Sequence, residues 1–355
     1  MTEVRNPDYY PQLDAVRTVA VLMVVVHHWL EGPSVLHLGG AMGVGLFFVL
    51  SGFLITGILM KQQEAFQSGL SGIRQRILKT FYIRRTLRIF PIYYLYTGAL
   101  IVLGIGQARE IWPWLLGYAY NFLLFFSGDW YSGYVEHLWS LAIEEQYYLI
   151  WPLMLLATPP RYTLRLILAF ILTGLAAKTF LYLDAPASQY SKFPLCQFDA
   201  FGIGSLLAWW HRQGKSIPFA AAAMWLFWTL ALAFPLKWFP FHFRGLSLIG
   251  QVSPFFYLGC ALFIHQAAKG IRGPIGFVFN QPFILFLGRI SYGIYLYHLF
   301  VPDLVRYAFF RSGLEMPGEG LRWMMYSLLT LGICVFSWYA VEQPINRLKE
   351  RFSYR

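Results

Sequence analysis

Leu13-Asp-Ala-Val-Arg17-Thr-Val-Ala-Val-Leu-Met-Val-Val-Val-His27-His28-Trp-Leu30 is an apolar run with ionisable residues near both ends. Arg17 and His28 stand eleven positions apart. At ~100° per residue, eleven steps return a helix to within ~20° of its starting direction after a rise of ~16 Å, so both side chains face the same way. A guanidinium and an imidazole inside a bilayer cost free energy unless a polar cavity or a partner receives them, which makes them candidates for function. The segment reads as one wall of an active site inside a membrane.

The rest of the chain agrees with that setting. Of 355 residues only 13% are charged and 19% are aromatic, and the mean hydropathy is +0.51. This composition predicts an all-α, polytopic integral membrane protein. The first apolar segment carries Asp14, Arg17, His27 and His28, which a cleaved signal would not, so a retained N-terminus is expected. The net charge of +11 lies in short clusters between apolar stretches, which positive-inside topology explains without nucleic acid. Cys196, Cys260 and Cys334 are scattered and odd in number, and imply neither a disulfide framework nor a zinc site.

Apolar stretches begin near Leu13, Gly40, Thr86, Ile111, Trp139, Leu164, Gln197, Phe219, Ser247, Pro282 and Arg322. Basic clusters at 61–88, 161–165, 212–215, 269–272 and 347–355 should all be cytoplasmic. An even number of crossings must then separate the first two, and the interrupted stretch Ile111–Phe126 is the one to demote to a re-entrant or interfacial segment. About ten transmembrane helices result, with both termini inside, in a single membrane domain over 1–355. The amphipathic stretch 62–79 is read as lying among lipid head groups.

Six motifs stand out: Leu13 to Arg17 ending in His28; Gly45-Leu-Phe-Phe-Val-Leu-Ser51-Gly-Phe-Leu-Ile; Arg84-Arg-Thr-Leu-Arg88-Ile-Phe-Pro91; His137-Leu-Trp139-Ser-Leu-Ala-Ile-Glu144-Glu-Gln-Tyr-Tyr; Ile290-Ser-Tyr-Gly-Ile-Tyr-Leu-Tyr-His298; and Val341-Glu-Gln-Pro344. In order and spacing they resemble the membrane-bound acyltransferase 3 family of sugar and natural-product O-acyltransferases, over nearly the whole chain. The resemblance implies an acyl-CoA-dependent O-acyltransferase of the bacterial-type plasma membrane. It would move an acyl group, acetyl first of all, from cytoplasmic acyl-CoA to a hydroxyl of a saccharide or glycoside.

Chemistry assigns roles within that expectation. An imidazole titrates near neutrality, so His28 suits a base that takes the proton of an attacking hydroxyl. His27 points ~100° away and reads as packing. Arg17 either pairs with Asp14, three residues earlier, and snorkels to head groups, or orients acyl-CoA phosphates with Asp14 as its partner; the resemblance favours the second. Arg84 and Arg88 share a helical face, Arg85 lies three from Arg88, and forked guanidiniums suit the phosphates of coenzyme A. A cluster of this kind also serves as a positive-inside anchor. Of the adjacent Glu144 and Glu145, only one can face a cavity; Glu144 matches the family's acidic position, in either a catalytic or a structural ion-pairing role. Ser51 lacks a nucleophile elbow and reads as helix packing beside Gly52. Ser291, Tyr295 and His298 fall on one helical stripe that either lines the acceptor side or packs in the core around one satisfied histidine. Most aromatics suit the head-group interface, and Trp139, with Trp130, Tyr131 and Tyr134, could instead stack on a sugar. A secondary transporter or flippase is the alternative, because intramembrane charges also mark substrate pathways.

Overall fold

The computed structural model describes residues 9–30, 38–65, 72–129, 131, 133–184, 190–233, 248–352 and 354. Trp130, Ser247 and residues 66–71 of the amphipathic stretch lie outside these. Among the described residues the fold is all-α, without a strand. The principal helices are α1 Gln12–Trp29, α2 Leu38–Ala65, α3 Ile73–Leu103, α4 Leu138–Ala157, α5 Thr163–Asp184, α6 Phe198–Arg212, α7 Ala220–Ala233, α8 Leu248–Lys269, α9 Pro282–Arg289, α10 Ser291–Tyr297, α11 Phe300–Ser312 and α12 Glu319–Ser337.

Helix α1 is central. Its residues Ala15, Val16, Ala20, Val21 and Val24 are inaccessible, and it packs against α2, α8, α9 and α10. The outside of the bundle is apolar instead of polar: Val102, Leu172, Phe180, Leu328 and Phe336 are all strongly exposed. An apolar exterior around an interior that holds Asp14, Thr56, Asp199 and His298 is the pattern that hydrocarbon solvent selects.

Among the described residues, four helical stretches are long and apolar enough to cross a membrane: Gly39–Gln63, Arg74–Leu103, Pro160–Leu181 and Glu319–Arg351. Of the other stretches read from sequence as spans, Phe198–Arg212 is shorter, at 15 residues. The one beginning at Pro282 divides into α9, α10 and α11, with breaks at Ile290 and at His298–Leu299. Residues 111–127 form two short helices, Trp112–Leu116 and Tyr120–Ser127, with Tyr118 between them at φ 49°. Helix α3 begins at Ile73, thirteen residues before the expected start near Thr86, so Arg84, Arg85 and Arg88 all lie well inside it.

Glycines set the closest approaches. A Cβ on Gly52 of α2 would lie 2.1 Å from the Phe201 carbonyl oxygen of α6, and one on Gly204 of α6 would lie 2.0 Å from that of Val49. The two backbones touch through reciprocal glycines, a packing mode suited to membrane helices. Polar side chains fasten the periphery. The Gln12 side chain accepts from Ile271 N at 2.7 Å and donates to Ile271 O at 3.0 Å, fixing the start of α1. Asn121 donates to Lys192 O at 3.1 Å and accepts from Gln146 at 2.9 Å, joining the short helices, the 190–197 segment and α4.

Candidate active site

Three helices meet where Arg17, Ser51 and Glu144 converge. Glu144 on α4 accepts hydrogen bonds from Ser51 on α2 and from Tyr148, one turn along its own helix. The Ser51 and Tyr148 hydroxyls are themselves 3.1 Å apart. Nearby, the Ser140 and Tyr295 hydroxyls lie 2.5 Å apart and tie α4 to α10. These groups line a narrow cavity of about 90 Å³, whose wall also includes Arg17, Arg85, Arg88, Ser291 and Tyr292. Glu145 is not on that wall. Arg17 pairs with Asp14, whose other carboxylate oxygen accepts from the Tyr9 hydroxyl at 2.5 Å.

A wider vestibule of about 420 Å³ adjoins this cavity and shares Leu54, Arg85 and Arg88 with it. Its described wall carries Lys61, Arg84, Arg85, Arg88, Arg212 and Lys349, with no carboxylate. One guanidinium nitrogen of Arg84 donates to the Lys349 and Phe352 carbonyls at 3.1 and 2.8 Å, so Arg84 also anchors the 348–352 turn. Arg85 sits 5.1 Å from the centre of the Tyr148 ring. Arg85 and Arg88 are therefore the basic residues that reach both spaces.

The imidazoles gather beyond Tyr295. His28 Nδ1 lies 2.9 Å from Val24 O and 3.2 Å from His298 Nε2. His298 Nδ1 lies 2.6 Å from Tyr295 O. The His137 ring is 5.1 Å from that of His298, and both its nitrogens are buried without a formed hydrogen bond. The His27 ring lies edge-on to His28 and fills the space that a Cβ on Gly40 would occupy. Arg17 is on the wall of the narrow cavity and His28 is not; His28 lies further along α1, against His298.

Trp139 meets a partner the sequence did not suggest. The Lys192 ammonium stands 3.6 Å from the centre of its ring, a cation–π contact. Lys192 is only 6% exposed. Burial lowers its pKa from the ordinary 10.5 to about 7, with Glu136 acting in the opposite direction. Burial in turn raises the Glu136 carboxyl.

The structure thus brings Arg17, Arg85, Arg88, Glu144, Ser291 and Tyr295 around one space and joins His298 to His28. Trp139 stands with Lys192. Sequence reasoning passed over His137, Tyr148 and Lys192, and read Ser51 only as packing. Tyr148 was available from spacing, four residues after Glu144 on one helical face. His137 opens the motif that supplied Trp139 and Glu144.

An all-helical bundle with an apolar exterior, an internal polar cavity and a basic antechamber defines a membrane-embedded protein whose antechamber chemistry suits an anionic group. A family model described as an acyltransferase domain matches residues 10–342, and the chain belongs to this acyltransferase 3 family. It is 30% identical to the peptidoglycan O-acetyltransferase OatA of Listeria monocytogenes, over 96% of this chain and 56% of that protein. It is 28% identical to YrhL of Bacillus subtilis, provisionally named a peptidoglycan O-acetyltransferase, over 95% and 55% of the two chains. A provisionally named O-acetyltransferase of Staphylococcus aureus is 27% identical over 86% and 52%. The chain spans about half the length of these curated relatives. No solved structure matches it.

Proposed function

We propose that the protein transfers an acetyl group from acetyl-CoA to a hydroxyl of a saccharide acceptor, acting as one membrane domain of about ten crossings with both termini cytoplasmic. The observation that carries this reading is the junction of the two cavities. A vestibule walled by basic side chains suits the phosphates of coenzyme A, and it leads into a smaller cavity lined by Tyr295, beyond which the His28–His298 pair lies. The relatives named as peptidoglycan O-acetyltransferases support a saccharide as acceptor.

In this reading Arg84, Arg85 and Arg88 hold the nucleotide together with Lys61, Arg212 and Lys349. Arg17, oriented by Asp14, stands where the vestibule narrows. Glu144, Ser51 and Tyr148 form a hydrogen-bonded group that positions the reacting ends, with Ser291, Tyr295 and Trp139 towards the acceptor. His28 takes the acceptor hydroxyl proton as its oxygen bonds to the thioester carbonyl carbon. The carbon–sulfur bond then breaks, its electron pair goes to the coenzyme A sulfur, and the imidazolium returns the proton to that sulfur.

Coenzyme A release is the measurement. Purified protein with acetyl-CoA and a peptidoglycan-derived oligosaccharide should release free coenzyme A thiol in step with ester formation. His28→Ala should bind coenzyme A as tightly as the wild type and release none. Full activity in His28→Ala refutes the assignment of the base, and absence of coenzyme A binding to the wild type refutes the donor.

A further inference from the structure

Four contacts around His28 and His298 determine which nitrogen of His28 can act. His298 is fully buried at the end of α10. Its Nδ1 faces the Tyr295 carbonyl at 2.6 Å, and a carbonyl can only accept, so Nδ1 carries the proton. In a neutral ring, Nε2 is then a lone pair. That lone pair points at His28 Nδ1 from 3.2 Å, and the Val24 carbonyl faces the same nitrogen from 2.9 Å. With acceptors on both sides, His28 Nδ1 must be the donor. The lone pair of His28 is left on Nε2. A doubly protonated His298 would turn the His28 Nδ1 lone pair against the Val24 carbonyl, which is repulsive. The fourth contact holds the arrangement in register: Trp29, the neighbour of His28 on α1, donates from its indole nitrogen to His298 O at 2.8 Å.

We infer that His298 is a positioning residue that selects the Nδ1-protonated tautomer of His28 and fixes its ring rotation, making Nε2 the atom that receives the acceptor proton. This rests on the reading of His28 as the base. Val24 alone could hold the Nδ1 proton, but a single partner on a neighbouring turn leaves the ring free to rotate out of line. The second acceptor, supplied by another helix, fixes the ring plane. It also shares the Nδ1 proton when Nε2 becomes protonated, so the imidazolium formed during transfer gains a hydrogen bond to a neutral acceptor.

The test is nitrogen NMR of protein labelled with ¹⁵N-histidine in detergent, with the His28 signals assigned by their loss in His28→Gln. In the wild type His28 should show a protonated Nδ1 and a lone pair on Nε2. His298→Phe, similar in size but without an acceptor, should mix the tautomers and lower kcat about 100-fold, the low end of a general-base contribution, with the KM for acetyl-CoA unchanged. His298→Gln, whose amide oxygen can take the place of Nε2, should recover much of that loss. A proton on Nε2 of His28 in the wild type overturns the inference, whether or not the variants fold. So does a His298→Phe protein with wild-type kcat. Full transfer by His28→Gln would instead remove the reading of His28 as base, while leaving the tautomer observation to stand or fall separately.

Discussion

Lys192 places an ammonium in a nearly closed site on the face of Trp139, and linkage gives this a measurable consequence. Its folded pKa of about 7 lies below the 10.5 of an exposed lysine. Between those values the unfolded chain binds more protons than the folded one, so the group makes wild-type stability rise with pH across that interval, by at most about 1.4 kcal/mol per pH unit. Below pH 7 the charge is present in both states and its full burial penalty applies; above 10.5 the penalty is gone. Lys192→Met lacks the titration. The stability of this variant relative to wild type should therefore be greatest at pH 6 and decline through pH 9.5, read as the difference in apparent Tm of the two detergent-solubilised proteins. A difference that does not change with pH would contradict the burial. Residue-scale legibility follows the same physics. Arg17, Glu144, Ser291 and Tyr295 could be placed on a polar wall because charges and hydroxyls inside an apolar run need a polar surface to face. Lys192 could not, because its partner Trp139 is distant in sequence and nothing local in Ser191-Lys192-Phe193 signals burial.

Helices α2 and α6 illustrate what a single element must satisfy. Ser51 reaches Glu144 only because Gly52, beside it, lets α2 rest on the α6 backbone. Gly52→Ala would place a methyl 2.1 Å from a carbonyl oxygen that cannot rotate away. The helices must part, at a cost of about 1–3 kcal/mol typical of overpacking, and Ser51 moves with them. We expect a lower apparent Tm and reduced acetyl transfer for Gly52→Ala. Gly98→Ala on α3, where nothing lies within 4 Å of the new methyl, should leave both unchanged. An unaltered Gly52→Ala protein would show that this contact does not set the helix spacing. The sequence disclosed Gly52 as a packing position from its small size, and the all-helical class from long apolar runs. The division of residues 282–312 into three helices was hidden, because an apolar stretch looks the same to periodicity whether its axis runs straight or breaks.

At the scale of the molecule, two independent arguments concern the same face. Lys61, Arg212 and Lys349 belong to three separate basic clusters that positive-inside topology assigns to one side of the membrane, and all three line the vestibule with Arg84, Arg85 and Arg88. Coenzyme A, bearing several phosphate charges, does not cross a bilayer, so a donor vestibule has to open on the cytoplasmic side. The native cysteines Cys196, Cys260 and Cys334 are buried and unpaired, which leaves a low background for thiol chemistry. Lys61→Cys and Arg212→Cys should each react with a membrane-impermeant maleimide in inside-out vesicles and not in intact cells, and coenzyme A should slow both reactions. Protection by coenzyme A without protection by an uncharged pantetheine derivative would locate the phosphates, rather than the arm, at these positions. Reaction in intact cells would place the vestibule on the outer face, where no acyl-CoA is available, and the acetyl-CoA reading would fail together with the topology.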